Sequence, residues 1–231
     1  AWSPAGDLIA FERRTLVNGT IGPPHLWLAQ PDGTTLGPLY TGQDISFAPA
    51  WAPDGEKLAF TNGLSQTLNL FAFTNTRTSY PDSTGEPASW APDGSALVYG
   101  AFGSAVLSPK PLLRLVQIGV RGEPKPLTAG AQGETSPAWS PNGSWIAFVQ
   151  RGEDGISSVI AIVEPDGSGL KQLTQRGATS DQSPTWSPDS KLIAFVRVGD
   201  AQAAGEAWVV PVEGGAAQRV GGAVVRAVWV P

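Results

Sequence analysis

The sequence has neither cysteine nor methionine among its 231 residues, and it has a single histidine, His25. Without cysteine, neither a disulfide framework nor a thiolate metal site can form. No apolar run approaches the roughly 20 residues that a membrane-spanning helix needs, so a membrane-spanning protein is not expected. Because methionine is absent, we expect the chain to be a processed form or an excerpt of a longer protein.

Positive charge is also scarce. Fifteen lysines and arginines face 20 acidic residues, for a formal net charge of −5, and the basic residues form no run. Nucleic-acid binding requires clustered cations, so a nucleic-acid partner is not expected. The abundant residues are instead 28 glycines and 21 prolines, which are spread along the chain in turn-like pairs. This distribution predicts many tight turns rather than disorder.

The residues needed for common catalytic sites are missing. Serine hydrolysis requires a nucleophile, a histidine base and an orienting acid, yet His25 is alone and no Gly-x-Ser-x-Gly motif occurs. The glycine-rich stretch at residues 214–222 lacks the Lys-Ser/Thr pair of a phosphate-binding loop. The sequence therefore predicts no enzymatic activity and no cofactor.

One motif recurs along the whole chain. It starts with Trp-x-Pro and places an aromatic residue nine positions after the tryptophan, as in AWSPNGSWIAF at residues 138–148. The repeats start near residues 1, 50, 89, 138 and 185, and a last Trp-x-Pro ends the sequence. The tryptophans are Trp2, Trp51, Trp90, Trp139, Trp186 and Trp229. Such constant offsets indicate a structural repeat rather than unrelated core aromatics.

Each repeat predicts four short strands. The Pro-Asp-Gly corner favours a turn, because Pro fixes φ, Asp bonds to the local backbone and Gly accepts a positive φ. The run after the corner is almost continuously apolar, which indicates a strand covered on both faces. A third apolar run and a polar fourth run follow, as at residues 158–164 and 170–175. Four antiparallel strands in about 45 residues are typical of a propeller blade, with the first strand innermost.

The repeat resembles that of a known family. The pattern Pro-x-Trp-Ser-Pro-Asp-Gly-x-x-x-Ile-Ala-Phe stands here as SPAWSPNGSWIAF at residues 136–148, and units end near Leu-Thr, as in QLTQ at 172–175. It is similar to the repeat of TolB-type β-propellers and of the propeller domains of prolyl-oligopeptidase-like peptidases. The resemblance covers the whole chain and implies an all-β fold, a β-propeller of four-stranded antiparallel blades in a single domain over residues 1–231. The motif residues build turns and core, so they say little about function.

The number of blades is a separate question. TolB-type propellers usually have six blades, whereas this sequence has six first strands but five sets of the other three. We expect five blades, with residues 226–231 supplying the innermost strand of the blade that begins at Leu8 and residues 1–4 displaced. The alternative is a six-bladed protein that lacks three strands and leaves a sheet edge exposed. Pairing of residues 226–230 with residues 8–12 would distinguish the two.

Acidic residues precede four of the innermost strands. They are Asp44, Glu86, Glu134 and Asp181. In a propeller such lead-in segments line one mouth of the central channel, so these residues predict an acidic funnel that attracts a basic peptide or a cation. The alternative is that polar loops simply contain acids. The recurring Pro-Asp-Gly corners do not predict a metal site, because calcium takes about six to eight oxygen ligands and each corner offers one carboxylate.

Three functions are compatible with these patterns. The resemblance to TolB implies a non-enzymatic scaffold that binds a protein or peptide through loops and channel, in the periplasm or outside the cell. The resemblance to the peptidases implies a propeller domain that gates an active site outside this chain. A structural subunit of an envelope assembly is the third, and exposed aromatics outside the repeat register would favour it. Trp27 and Trp208 are the candidates, but we expect both to belong to the blade core.

Overall fold

The computed structural model describes residues 1–39, 45–74, 76–103, 110–130, 132–177, 179–199 and 204–229. Within these ranges the regular structure consists of β-strands, without a helix. The strands are β1 Ile9–Val17, β2 Thr20–Ala29, β3 Thr35–Pro38, β4 Ser46–Trp51, β5 Lys57–Asn62, β6 Thr67–Ala72, β7 Thr76–Tyr80, β8 Ser89–Trp90, β9 Ala96–Phe102, β10 Pro111–Gln117, β11 Lys125–Pro126, β12 Glu134–Trp139, β13 Ile146–Arg151, β14 Ser158–Val163, β15 Lys171–Gln172, β16 Ser180–Trp186, β17 Leu192–Val198, β18 Gly205–Pro211 and β19 Gln218–Val224.

Consecutive strands form the antiparallel sheets that the repeat predicts. We call β1–β3 blade one, β4–β7 blade two, β8–β11 blade three, β12–β15 blade four and β16–β19 blade five. Blades four and five also share one parallel pair, between Ser158 and Ser180. The predicted all-β fold of antiparallel blades is therefore confirmed, and each repeat supplies the strands of one blade. That residues 1–231 form a single domain stays a prediction.

The Pro-Asp-Gly corners close the first hairpin of the blades, as predicted. In blade two the Gly55 N–H donates to the Ala52 carbonyl at 2.9 Å, and Gly55 has a φ of 72°. The Asp54 carboxylate accepts the N–H of Glu56 at 2.9 Å. The aspartate of the motif is thus used inside its own turn.

The apolar core lies between neighbouring blades. Phe148 of blade four packs in one cluster with Leu113 of blade three, and Phe195 of blade five packs with Ile160 of blade four. In blades two to five the strand after the corner is accordingly buried on both faces, as its continuous apolar run predicts. In blade one the matching strand β1 is exposed over residues 12–16. Each blade therefore depends on its neighbour for burial, as in other repeat architectures.

Most of the repeated tryptophans bond an innermost strand to that of the previous repeat through the indole. In four cases the indole Nε1 donates to the carbonyl of the residue that precedes the tryptophan of the previous repeat. These bonds run from Trp51 to Ala1, from Trp90 to Ala50, from Trp186 to Ala138 and from Trp229 to Thr185. Trp139 departs from the pattern, since its indole donates to Gly143 while its backbone N–H donates to the Ser89 hydroxyl. Four of the repeated tryptophans thus tie neighbouring repeats together.

The start of the chain occupies the innermost position of blade one. Trp2 forms an antiparallel bridge with Ile9, and Ala1 and Ala10 exchange two hydrogen bonds, of 2.8 Å and 2.7 Å. The expectation that residues 1–4 are displaced is therefore wrong. Their backbone already fills the edge of β1 that the closing strand was to use.

The end of the chain lies elsewhere than expected. Through its indole, Trp229 bonds to Thr185 of blade five at 3.1 Å, the contact that an innermost strand makes with the preceding blade. The expected pairing of residues 226–230 with residues 8–12 is consequently wrong for the described residues, because residues 1–3 hold that position. The number of blades stays a prediction.

Candidate functional site

Three of the innermost strands carry a β-bulge at the same register. Ala48, Ser136 and Ser183 stand three residues before their tryptophans and have φ values of 57°, 53° and 54°. The strand register shifts at each of these points. Non-glycine residues seldom adopt a positive φ, which costs roughly 1–2 kcal/mol. Each bulged residue precedes a proline. The proline disfavours the ordinary helical region for the residue before it, but it does not by itself predict a positive φ.

Two of the bulges bind a carboxylate through the backbone. The Ala48 N–H donates to Oε1 of Glu12 at 2.9 Å, and the Ser136 N–H donates to Oε2 of Glu86. In both cases the carboxylate comes from the blade that precedes the bulge. The bulge therefore acts as a carboxylate-binding position between adjacent blades, built from a backbone N–H.

A polar cleft opens beside the bulges of blades four and five. It has a volume of about 380 Å³, and its walls include Glu86, Thr135, Ser136, Val149, Arg151 and Ser183. We call it the inner cleft. A second cavity of about 280 Å³ shares Glu86, Ser136 and Ser183 with it and adds Arg226. Because the shared residues belong to the innermost strands or their lead-ins, both spaces lie on the inner side of the blades.

The described walls of these two spaces carry more positive than negative charge. Their described walls contain two arginines, Arg151 and Arg226, and one carboxylate, that of Glu86. The Arg151 side chain is exposed, and it makes no ion pair or hydrogen bond with any other described residue. A single carboxylate already bonded to a backbone N–H thus faces two cations.

Glu134, one of the four predicted acids, lies inside the sheet. It is 3% exposed, and the hydroxyl of Thr128 donates to its Oε2 at 3.2 Å. Burial raises the pKa of Glu134 above the ordinary value, and the hydrogen bond from Thr128 opposes the shift. This carboxyl group holds the end of blade three against blade four.

Asp181 is equally buried and forms a two-point ion pair. Its side chain accepts hydrogen bonds from Nε and Nη2 of Arg197 at 2.7 Å and 2.9 Å, and the two residues stand opposite each other across β16 and β17. The guanidinium lies 4.4 Å from the ring centre of Trp208 and 5.3 Å from that of Phe195. Hydrogen bonding to Asp181 raises the pKa of Arg197, so the guanidinium stays charged.

The three predicted acids that the structure describes therefore do not form one cluster. Glu86 is bound to a bulge, Glu134 and Asp181 are bonded inside the sheets, and Asp44 lies outside the described residues. No three His, Asp or Glu residues in the described ranges are close enough to hold a metal ion. A shared role in attracting a cation stays a prediction. Sequence reasoning missed Arg151 and Ser183, since neither belongs to a repeated acidic position.

Replacing Glu134 by Gln is expected to make the protein more stable at pH 8 while leaving its stability at pH 4 nearly unchanged. A raised pKa means that the folded state binds the Glu134 proton more tightly than the unfolded state, so wild-type stability falls as pH rises through the folded-state pKa. The amide removes this loss and can still accept the Thr128 hydroxyl. Thermal unfolding across this pH range measures the difference, and an equal shift at both pH values would contradict the argument.

The single histidine does not belong to the inner cleft. His25 lies in β2 opposite Arg13, and no carboxylate or hydroxyl among the described residues hydrogen-bonds to it. The described part of the chain also contains no helix of the length and hydropathy that a bilayer crossing requires.

Comparison with known proteins gives one curated relative. No protein-family model matches the chain. YuxL of Bacillus subtilis strain 168, named as an uncharacterized peptidase, is 28% identical over 152 residues. The match covers 64% of this chain and 20% of YuxL, so this chain spans about a fifth of the relative's length.

Solved structures resemble the fold along almost the whole chain. A putative TolB from Agrobacterium tumefaciens aligns with a TM-score of 0.71 and 21% identity, covering 97% of this chain and 82% of that one. TolB of Acinetobacter baumannii gives a TM-score of 0.69 and 22% identity, covering 94% and 53%. A prolyl endopeptidase gives 0.66 and 12%, covering 93% and 35%. These likenesses confirm the predicted TolB-type β-propeller fold, and at such identities they concern the fold alone.

Proposed function

We propose that this chain is a non-enzymatic β-propeller scaffold that binds a protein partner by taking an extended peptide segment of it into the inner cleft. The observation that carries this proposal is the cleft itself. Its volume of about 380 Å³ lies in the range of ligand pockets. Its walls include residues that the repeat does not dictate, such as Arg151 and Gln182.

The chemistry of the cleft suits a peptide. Serine hydroxyls, the Gln182 amide and the guanidinium of Arg151 offer both donors and acceptors to a polar backbone. Ile156 adds an apolar surface to the same wall and is 78% exposed. A concave site with a few convergent polar groups on a rigid scaffold is the usual form of a recognition site.

The absence of catalytic activity is part of the proposal. Hydrolysis of the bound peptide would need a nucleophile held by a base, and His25 lies in β2, away from the residues that line the inner cleft. The resemblance to TolB favours a periplasmic or extracellular location and a protein partner. The scaffold would then meet its protein partner in the periplasm or outside the cell.

A second candidate function is a propeller domain that gates a peptidase active site outside this chain. The relative YuxL, which is named as a peptidase, and the likeness to a prolyl endopeptidase favour it. Finding a hydrolase domain in the same reading frame would support this function over an independent scaffold.

The proposal of a structural assembly subunit has less support. The ring of Trp27 is covered by the Arg13 guanidinium at 4.3 Å, and Trp208 packs against the core of blade five. Neither aromatic residue is thus presented as an open apolar surface.

Blocking the inner cleft tests the proposed function. Gln182 is exposed on the cleft wall, so Gln182→Trp is expected to fill the space and weaken peptide binding about tenfold or more. The measurement is binding of the purified protein to an array of short peptides, followed by affinity determination for the peptides that bind.

A matched variant controls for the added aromatic ring. Gln117 is also exposed and lies at the end of β10, away from the cleft. Gln117→Trp is expected to bind the same peptides as the wild type. Equal binding by the wild type and the Gln182→Trp variant, or no binding of any peptide by the wild type, would contradict the proposed function.

A further inference from the structure

The third bulge lacks the carboxylate that the other two have. No side chain among the described residues accepts the Ser183 N–H, whereas Ala48 and Ser136 donate to Glu12 and Glu86. All three N–H groups stand at the same register of a bulged innermost strand. The Ser183 position therefore has the geometry of a carboxylate site without an internal carboxylate.

The repeat shows which positions of blade four would have supplied a carboxylate to the Ser183 bulge. In the blade preceding Ser183, the position that matches Glu86 is Thr135, four residues before its tryptophan. The position that matches Glu12 is Val149, ten residues after the tryptophan. Neither side chain carries a charge, so blade four offers no acceptor to the bulge of blade five.

Both of these positions line the inner cleft. Thr135 and Val149 form its wall together with Ser183. The cleft thus occupies the space beside the third bulge where a carboxylate of the preceding blade would have been expected. At the other two bulges, the carboxylate of Glu12 or Glu86 fills this position. At the Ser183 bulge, no carboxylate of a described residue does.

The cleft also supplies a cation for an incoming anion. Arg151 lies on its wall and has no ion pair with any other described residue. A guanidinium paired with a carboxylate forms a charge-assisted hydrogen bond, which is stronger than a neutral one. Glu86 on the same wall is the opposing charge, and its Oε2 is already bonded to the Ser136 N–H.

We infer that the inner cleft binds a carboxylate group of the bound peptide, which accepts the Ser183 N–H and pairs with the Arg151 guanidinium. The carboxylate would complete at blade five the contact that Glu12 and Glu86 make at the other two bulges. The inference rests on the proposed function and narrows it to acidic segments. Its source is either an Asp or Glu side chain or a free C-terminus, which share the same chemistry.

Three short peptides separate these sources. The first is acetyl-Ala-Ala-Glu-Ala-Ala-amide, the second replaces Glu by Gln, and the third is the Gln peptide with a free C-terminal carboxylate. Titration of ¹⁵N-labelled protein is followed through its backbone amide signals. We expect the Ser183 amide signal to shift with the first or the third peptide. The uncharged Gln peptide is expected to bind more weakly by about tenfold or more.

Thr135→Glu tests the repeat argument directly. It places a carboxylate at the register of Glu86 and is expected to move the Ser183 amide signal without peptide and to weaken binding of the acidic peptide about tenfold or more. Because Thr135 is buried and Glu is larger, Arg151→Gln serves as a second variant at an exposed position. It is expected to weaken the acidic peptide while leaving the uncharged peptide unaffected.

Arg121→Gln is the matched control, since Arg121 is exposed in the turn before β11, away from the inner cleft. It is expected to bind all three peptides as the wild type does. If the charged and uncharged peptides bind equally and Gln182→Trp blocks both, the carboxylate inference is wrong and the proposed function stands. If none of the array peptides and none of these three binds, both fail.

Discussion

Replacing Asp181 by Asn is expected to lower the free energy of unfolding by about 3 kcal/mol, the lower end of the cost of removing one partner from a buried ion pair. Asp181 is 0% exposed and receives two hydrogen bonds from Arg197. The amide leaves the guanidinium without its counter-charge between Phe195 and Trp208. Urea unfolding followed by tryptophan fluorescence measures the loss.

Two further variants separate the ion pair from a general effect of the substitution. In the Asp181→Asn background, Arg197→Gln is expected to recover part of the loss, because no unpaired buried charge then remains. Arg219→Gln breaks the exposed pair with Glu206 and is expected to cost about 0.5 kcal/mol. If Asp181→Asn costs no more than Arg219→Gln, the buried pair does not stabilise blade five as argued.

The fold could be predicted from the sequence because its signals are local and repeated. The corner Pro141-Asn142-Gly143 uses chemistry that depends on neighbouring residues alone, and the apolar run at residues 146–149 marks a strand covered on both faces. Five similar copies make accidental agreement improbable and fix the register of each strand. The structure adds the reason for the invariant tryptophan, an indole bond to the preceding repeat.

The closing position could not be predicted in the same way. Trp2 and Trp229 both start a repeat, and the motif alone does not determine which of them pairs with the strand at Ile9. In the structure, the short turn at residues 3–6 brings Ala1 next to Ala10, and the two residues pair. A short hairpin closes at lower entropic cost than a ring joined across more than 200 residues.

The site was harder to predict than the fold because a bulge changes the role of an acid. Their position before a tryptophan groups Asp181 and Glu134 with Glu86 in the sequence. A shift of one residue in register turns a side chain to the other face of a strand. Asp181 therefore meets Arg197 inside the blade, whereas Glu86, one residue closer to its tryptophan, meets the next bulge.

Replacing Phe148 by Ala is expected to cost about 3–5 kcal/mol, the usual range for truncating a fully buried phenylalanine. Phe148 is 0% exposed and packs with Leu113 and Val98 of blade three as well as with Ala161 of its own blade. The cavity would open between two blades, so both should lose stability. Urea unfolding gives the magnitude, and Leu64→Ala, at an exposed turn residue, is expected to cost less than about 0.5 kcal/mol.

Hydrogen exchange locates the effect of the same variant. If the core between blades is shared, amides of β9 and β10 in blade three lose protection together with those of β13 and β14 in blade four. Blade one, which contributes no residue to this cluster, should keep its protection. Loss confined to β13 and β14 would mean that each blade is stabilised by its own strands alone. Loss in both blades would explain why the aromatic nine residues after each tryptophan recurs in every repeat: Phe148 fills the layer that joins one blade to the previous one.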